Sequence, residues 1–149
     1  TLKKLAVFPL HGIEVVFPDL IAAEVKNHLS GQLNSANTAL NSALKEYVKK
    51  WRLELSARDE IIKVGQLGRD AEKTASDYWD AFVAGLKGVT VPADGNMSVA
   101  KLVEMYFSAT APFEKKPDKK SEFPDAIALL SLEGWAKGRG CLVLAVSHD

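Results

Sequence analysis

Only one cysteine, Cys141, occurs in the 149 residues, so no internal disulfide can form and a buried core has to hold the fold. Histidine is nearly as scarce. His11, His28 and His148 have no Cys or His partners at zinc-ligand spacing, which argues against a zinc site. Net charge is also missing. Nineteen Lys and Arg balance nineteen Asp and Glu, so no global positive field draws the chain to nucleic acid or anionic lipid, and any polyanion site has to be a local patch. No apolar stretch approaches the ~20 residues of a membrane-spanning helix, and Thr1-Leu2-Lys3-Lys4 lacks a signal-peptide core, so a cytoplasmic protein without a membrane partner is expected. The phosphate-cradling glycine loops Gly-x-x-x-x-Gly-Lys and Gly-x-Gly-x-x-Gly are absent, as is Gly-x-Ser-x-Gly, which disfavours nucleotide-driven and acyl-transfer chemistry.

What is present is an ordinary globular composition, 47% hydrophobic and 26% charged, in a chain long enough for one domain that buries roughly two thirds of its unfolded surface. The β-branched run Ile13 to Phe17 predicts a strand, and Pro18 suits the first position of a helix over about 18 to 29. On that helix Leu20, Ile21, Glu24, Val25 and His28 share a face, which sets Glu24 among apolar neighbours. From about 34 to 86 helical spacing of Leu40, Leu44, Tyr47, Val48 and Trp51, then Ala75, Tyr78, Trp79 and Phe82, predicts two long helices separated near Gly65 and Gly68. Val89 to Pro92 reads as a short edge strand, Asp94-Gly95-Asn96 as a turn, and a helix begins near Ser98. Pro112 to Ser121 reads as an exposed lysine-rich loop. An apolar helix opens at Phe123-Pro124-Asp125 and ends at Gly138 or Gly140. Cys141 to Ser147 has the uninterrupted apolar character of a parallel strand covered on both faces, which would bury Cys141.

Two helices therefore begin with nearly the same word, Phe17-Pro18-Asp19-Leu20-Ile21-Ala22 and Phe123-Pro124-Asp125-Ala126-Ile127-Ala128. Asp in the first turn complements the helix dipole, and for Asp19 that explanation suffices. Asp125 opens a helix that is apolar all round, where an unpaired carboxylate is costly unless a cation or donors meet it. Asp149 comes after the last apolar run, at the position where open α/β sheets hold ligands. Carboxylates from separate segments that converged there would make an oxygen-rich site suited to Mg²⁺ or Mn²⁺, able to polarise a phosphodiester and activate water.

Phe17 to Val25, Lys119 to Ile127 and Val143 to Asp149 resemble, in order, the later acidic motifs of PIN-like domains. They are closest to a bacterial subgroup with a helical insertion between the second and third motifs. The resemblance covers nearly the whole chain and implies a single domain over 1–149: a three-layer α/β fold with a short parallel sheet flanked by helices, and a helical insertion over about 30–110. It also implies a Mg²⁺- or Mn²⁺-dependent nuclease acting mostly on RNA. Glu24, Asp125 and Asp149 match the metal-binding and catalytic acidic positions, and Glu122 is a weaker acidic neighbour. Several such proteins are toxins of toxin–antitoxin pairs, so an antitoxin or a second copy is an implied partner beside an RNA or DNA substrate. Lys115, Lys116, Lys119 and Lys120 precede the third motif and are candidates for phosphate contact.

The family's first aspartate, usually within Asp-Thr-Asn at the end of an opening strand, has no counterpart here. The expectation is either an internal fragment or a scaffold without that motif. The rival to an endoribonuclease is thus a catalytically inactive PIN-like module that binds nucleic acid or protein. A third reading is a structural α/β domain with Tyr47, Trp51, Tyr78, Trp79 and Phe82 as interface anchors.

Overall fold

The computed structural model describes residues 2–64, 69–113 and 122–145. After a 3₁₀ stretch at Leu2–His11, the order is β1 (Val16–Pro18), α1 (Asp19–Lys50), α2 (Leu55–Val64), α3 (Ala71–Gly85), β2 (Val89–Val91), α4 (Val99–Ser108) and α5 (Phe123–Arg139). The fold is α/β and mostly helical. Its sheet is a parallel pair in which Val16 lies opposite Val89, Phe17 opposite Thr90 and Pro18 opposite Val91. Among the described residues both strands are edges, which lets Pro18 sit in the ladder without an N–H. Two compact units are defined by chain contacts, Thr1–Ala23 with Val83–Asp149, and Glu24–Phe82.

In the first unit, Leu102 of α4 and Ala126 and Leu130 of α5 enclose Phe113, with Met97, Met105, Tyr106, Phe123 and Ile127 packed around them. Burying each large side chain contributes about 1.5–3 kcal/mol. The expected helix start at Ser98 is borne out: the Ser98 hydroxyl accepts from the Lys101 amide at 3.3 Å, satisfying one of the first-turn donors. Helix α5 ends where glycine permits. Gly140 takes φ 63° and its amide donates to the Ala136 and Lys137 carbonyls, a left-handed cap. Gly134 is needed for a different reason, because a Cβ there would lie 1.9 Å from the Asn96 carbonyl oxygen. The turn at Asp94-Gly95-Asn96 is thereby seated directly on α5.

In the second unit, α1 does not pause between 29 and 34. Ser35, Thr38 and Ser42 donate their hydroxyls to the carbonyls of Gly31, Asn34 and Thr38, so these polar residues are satisfied inside the helix instead of ending it. The Lys26 amine donates to Ser76 Oγ at 2.9 Å and meets Asp80 Oδ1 at 3.0 Å, tying α1 to α3. The expected pair of long helices is three. The additional break falls at 51–54, where Arg52 adopts φ 52° and the Leu53 amide reaches back to the Val48 carbonyl. Gly65 and Gly68 lie outside the described residues. Of the five aromatic residues considered as interface anchors, Trp79 is buried, Phe82 half-buried, and Tyr47, Trp51 and Tyr78 are exposed.

The carboxyl-terminal strand is a correction. Residues 141–145 form no strand, and Leu142 is fully exposed, as is much of Leu144. Cys141 is exposed rather than buried. An apolar β-forming run becomes a strand only when a neighbour supplies a ladder, and the sheet among the described residues is β1 with β2 alone. No helix among the described residues is long and apolar enough to cross a membrane.

Candidate metal and nucleic-acid site

The aromatic corner of the first unit fixes the start of α5. Phe123 stacks on Tyr106 with centroids 5.2 Å apart, and Phe113 meets both rings edge-on, 5.0 Å from Phe123 and 5.5 Å from Tyr106. With Phe123 pinned and Pro124 presetting the first turn, Asp125 and Ala126 project in different directions, about 100° apart on the helix. Ala126 is fully buried and Asp125 is exposed. Burial therefore does not set Asp125 apart. Among the described residues its carboxylate has no hydrogen-bond or ion-pair partner, unlike that of Asp19.

The twin position behaves differently. Asp19 Oδ2 accepts from the Ala93 amide at 3.0 Å, joining the start of α1 to the segment that leaves β2. That carboxylate is committed to the fold.

Glu24 is exposed on α1 and has no hydrogen-bond or ion-pair partner among the described residues. The helix turns Ala22 inward, so Glu24 does not sit in the apolar surroundings that its spacing suggests. Glu122 caps α5 by position without a side-chain cap hydrogen bond and is half-buried. Asp149, His148 and the four lysines Lys115, Lys116, Lys119 and Lys120 lie outside the described residues.

Among the described residues no three His, Cys, Asp or Glu side chains form a group that could hold a metal. The fit of Mg²⁺ or Mn²⁺ rests on donor chemistry. Asp125 and Glu24 are each exposed and without an ion-pair partner among the described residues, and hard oxygen donors of this kind suit these ions and not zinc.

Charge elsewhere on α5 serves packing. Glu133 receives the amines of Lys101 and Lys137, each at 2.6 Å. The hydrogen bond from Lys101, then that from Lys137, lowers its pKa from 4.5 to about 2. Arg139 lies 4.7 Å over the Trp135 ring and 3.3 Å from Glu14. A shallow cleft of about 280 Å³ is lined by Pro9, Gly12, Ile13, Glu14, Lys87 and Arg139. It is at the far end of α5 from Asp125, roughly 20 Å along the axis, and is no part of the acidic site. The Glu133–Lys137 pair has the i,i+4 spacing that a sequence shows, whereas the Lys101 contact and the cleft depend on residues far apart in the chain.

The PIN domain family model matches residues 1–149. No curated protein and no solved structure matches the chain.

Proposed function

The chain belongs to the PIN domain family, whose members are nucleases of a generally metal-dependent kind, and from that premise we propose that it is a Mg²⁺- or Mn²⁺-dependent endoribonuclease. What supports the assignment most is the family match over the whole length, joined to an exposed Asp125 carboxylate at the start of α5 that has no partner among the described residues.

In this proposal Glu24, Asp125 and Asp149 hold the metal, with Glu122 as a weaker acidic neighbour. When bound, such an ion polarises the phosphodiester and lowers the pKa of water. The Phe123, Tyr106 and Phe113 rings anchor the helix start that carries Asp125. Lys115, Lys116, Lys119 and Lys120 contact phosphates of the substrate. The chain is taken as one PIN-like domain over 1–149 whose helical insertion spans about 30–110. A nuclease in a cell has to be restrained, and an inhibitory partner of antitoxin type, or a second copy, is the protein partner carried with this proposal.

The test is cleavage of single-stranded RNA by the purified chain with Mn²⁺, compared with Asp125→Asn. Metal-dependent cleavage lost in Asp125→Asn, with an unchanged circular dichroism spectrum, is the expected result. An equal rate in both proteins would remove Asp125 from the site. RNA binding without cleavage at any Mn²⁺ concentration would replace the enzyme with a binding module.

A further inference from the structure

Helix α1 ends in the second unit with an unusual surface. Tyr47 and Trp51 lie one helical turn apart, with ring centroids 5.9 Å from each other and planes tilted by 37°. Val48 between them is buried, whereas Trp51 is 68% and Tyr47 50% exposed. The core contact at this end is made by Val48, and the ring pair is left in water.

Cations surround the pair. Residues 45–52 contain Lys45, Lys49, Lys50 and Arg52 against Glu46, a net +3 within a chain whose total is zero, and all five are exposed. Lys50 lies three positions beyond Tyr47, on the neighbouring part of the helix surface. Its amine meets Glu46 at 3.0 Å in an exposed pair, weak enough for a phosphate to displace. A helix carboxyl terminus favours cations through its dipole, and that accounts for one or two of these residues. It does not account for an indole and a phenol exposed beside them.

Aromatic faces among cations suit single-stranded nucleic acid, because unpaired bases stack on the rings while phosphates meet the ammonium and guanidinium groups. We propose that Tyr47 and Trp51, with Lys49, Lys50 and Arg52, form a sequence-tolerant docking site for single-stranded RNA. The choice of RNA rests on the nuclease assignment, since an anionic lipid surface attracts the same residue types. The site lies within the Glu24–Phe82 unit and uses none of the acidic positions.

Fluorescence anisotropy of a labelled oligouridylate, measured on the full chain in EDTA, separates docking from cleavage. Tyr47→Ala/Trp51→Ala weakens binding at least tenfold, as loss of one or two stacked bases requires, and Trp51→Phe retains most of the affinity. Lys49→Gln/Lys50→Gln/Arg52→Gln reduces the slope of log affinity against log salt by about 2. These side chains are exposed, and circular dichroism with the thermal midpoint checks that each variant folds. Affinity within twofold of the parent in Tyr47→Ala/Trp51→Ala, or no RNA binding by the parent, overturns the proposal. So does a loss confined to binding of phosphatidylserine vesicles, which would mark a membrane surface instead. Failure of the nuclease assignment reads out separately: the parent would then cleave no RNA at any Mn²⁺ concentration while the ring variants still lost RNA binding.

Discussion

The chain writes Phe-Pro-Asp twice at the start of a helix and uses the two carboxylates differently. At Asp19 the word begins inside β1, whose last residues are Phe17 and Pro18, and the side chain accepts the Ala93 amide at 3.0 Å, tying the start of α1 to the backbone just beyond β2. At Asp125 the phenylalanine is the anchored residue, and the carboxylate stays exposed and unpaired among the described residues. A proline before an acid predicts a helix start in both places, correctly. Whether the acid is then consumed by the fold or left for a ligand depends on a backbone amide 74 positions away, which no local pattern encodes.

The sharpest way to break the comparison is to exchange the roles. Asp125→Asn is expected to reduce Mn²⁺-dependent RNA cleavage by roughly a hundredfold or more, the scale for losing one essential electrostatic group, and to change stability by no more than about 1 kcal/mol, the value of a first-turn charge. Urea denaturation beside the cleavage assay checks both halves.

Asp19→Ala is expected to do the opposite. It strands the Ala93 amide and costs about 1–3 kcal/mol of stability, while metal affinity stays within a factor of two. Asp19→Asn keeps an acceptor oxygen and recovers most of the loss. If Asp19→Ala unfolds at the parent's urea midpoint, its carboxylate is not structural and the contrast fails.

Gly134→Ala probes the seat of the Ala93-to-Asn96 turn on α5. The Asn96 carbonyl has to move, so the change is expected to destabilise by about 1–3 kcal/mol despite the better helix propensity of alanine. A thermal midpoint equal to or above that of the parent would show that the turn yields freely.

The smallest effect belongs to Glu133. Its folded pKa of about 2 lies below the ordinary 4.5, so the ionised carboxylate stabilises the fold above that ordinary value, and the contribution fades as pH falls from about 4.5 through about 2. Glu133 is well solvated, which keeps the effect small. Glu133→Gln is expected to lower the thermal midpoint slightly near neutral pH and to flatten its pH dependence between about 4.5 and about 2, and an unchanged acid slope would contradict this.

Local chemistry makes much of the fold legible. Val89-Thr90-Val91, the Ser98 cap, the Asp94-Gly95-Asn96 turn and the helix from Phe123 to a glycine stop all depend on neighbours within a few residues, and all are found. Cys141 to Ala145 reads as a strand and is none, because a strand exists only with a partner, and partnership is not local. Residues 29 to 34 fall between two expected helices and are helix throughout; just beyond them Ser35 and Asn41, residue types common in loops, satisfy themselves against a helix carbonyl one turn back. For the site, spacing identifies the acids, but not that Asp125 and Glu24 are exposed, since exposure is set by which neighbouring position, Ala126 or Ala22, faces the packing.

Calorimetric titration of Mn²⁺ into the full chain, with Asp125→Asn and Asp19→Ala beside it, tests the central claim most directly. Saturable binding in the parent and in Asp19→Ala, lost in Asp125→Asn, is the predicted result. Equal binding in all three proteins, or loss in Asp19→Ala alone, would contradict the assignment of the free carboxylate to the metal and of the bonded one to the fold.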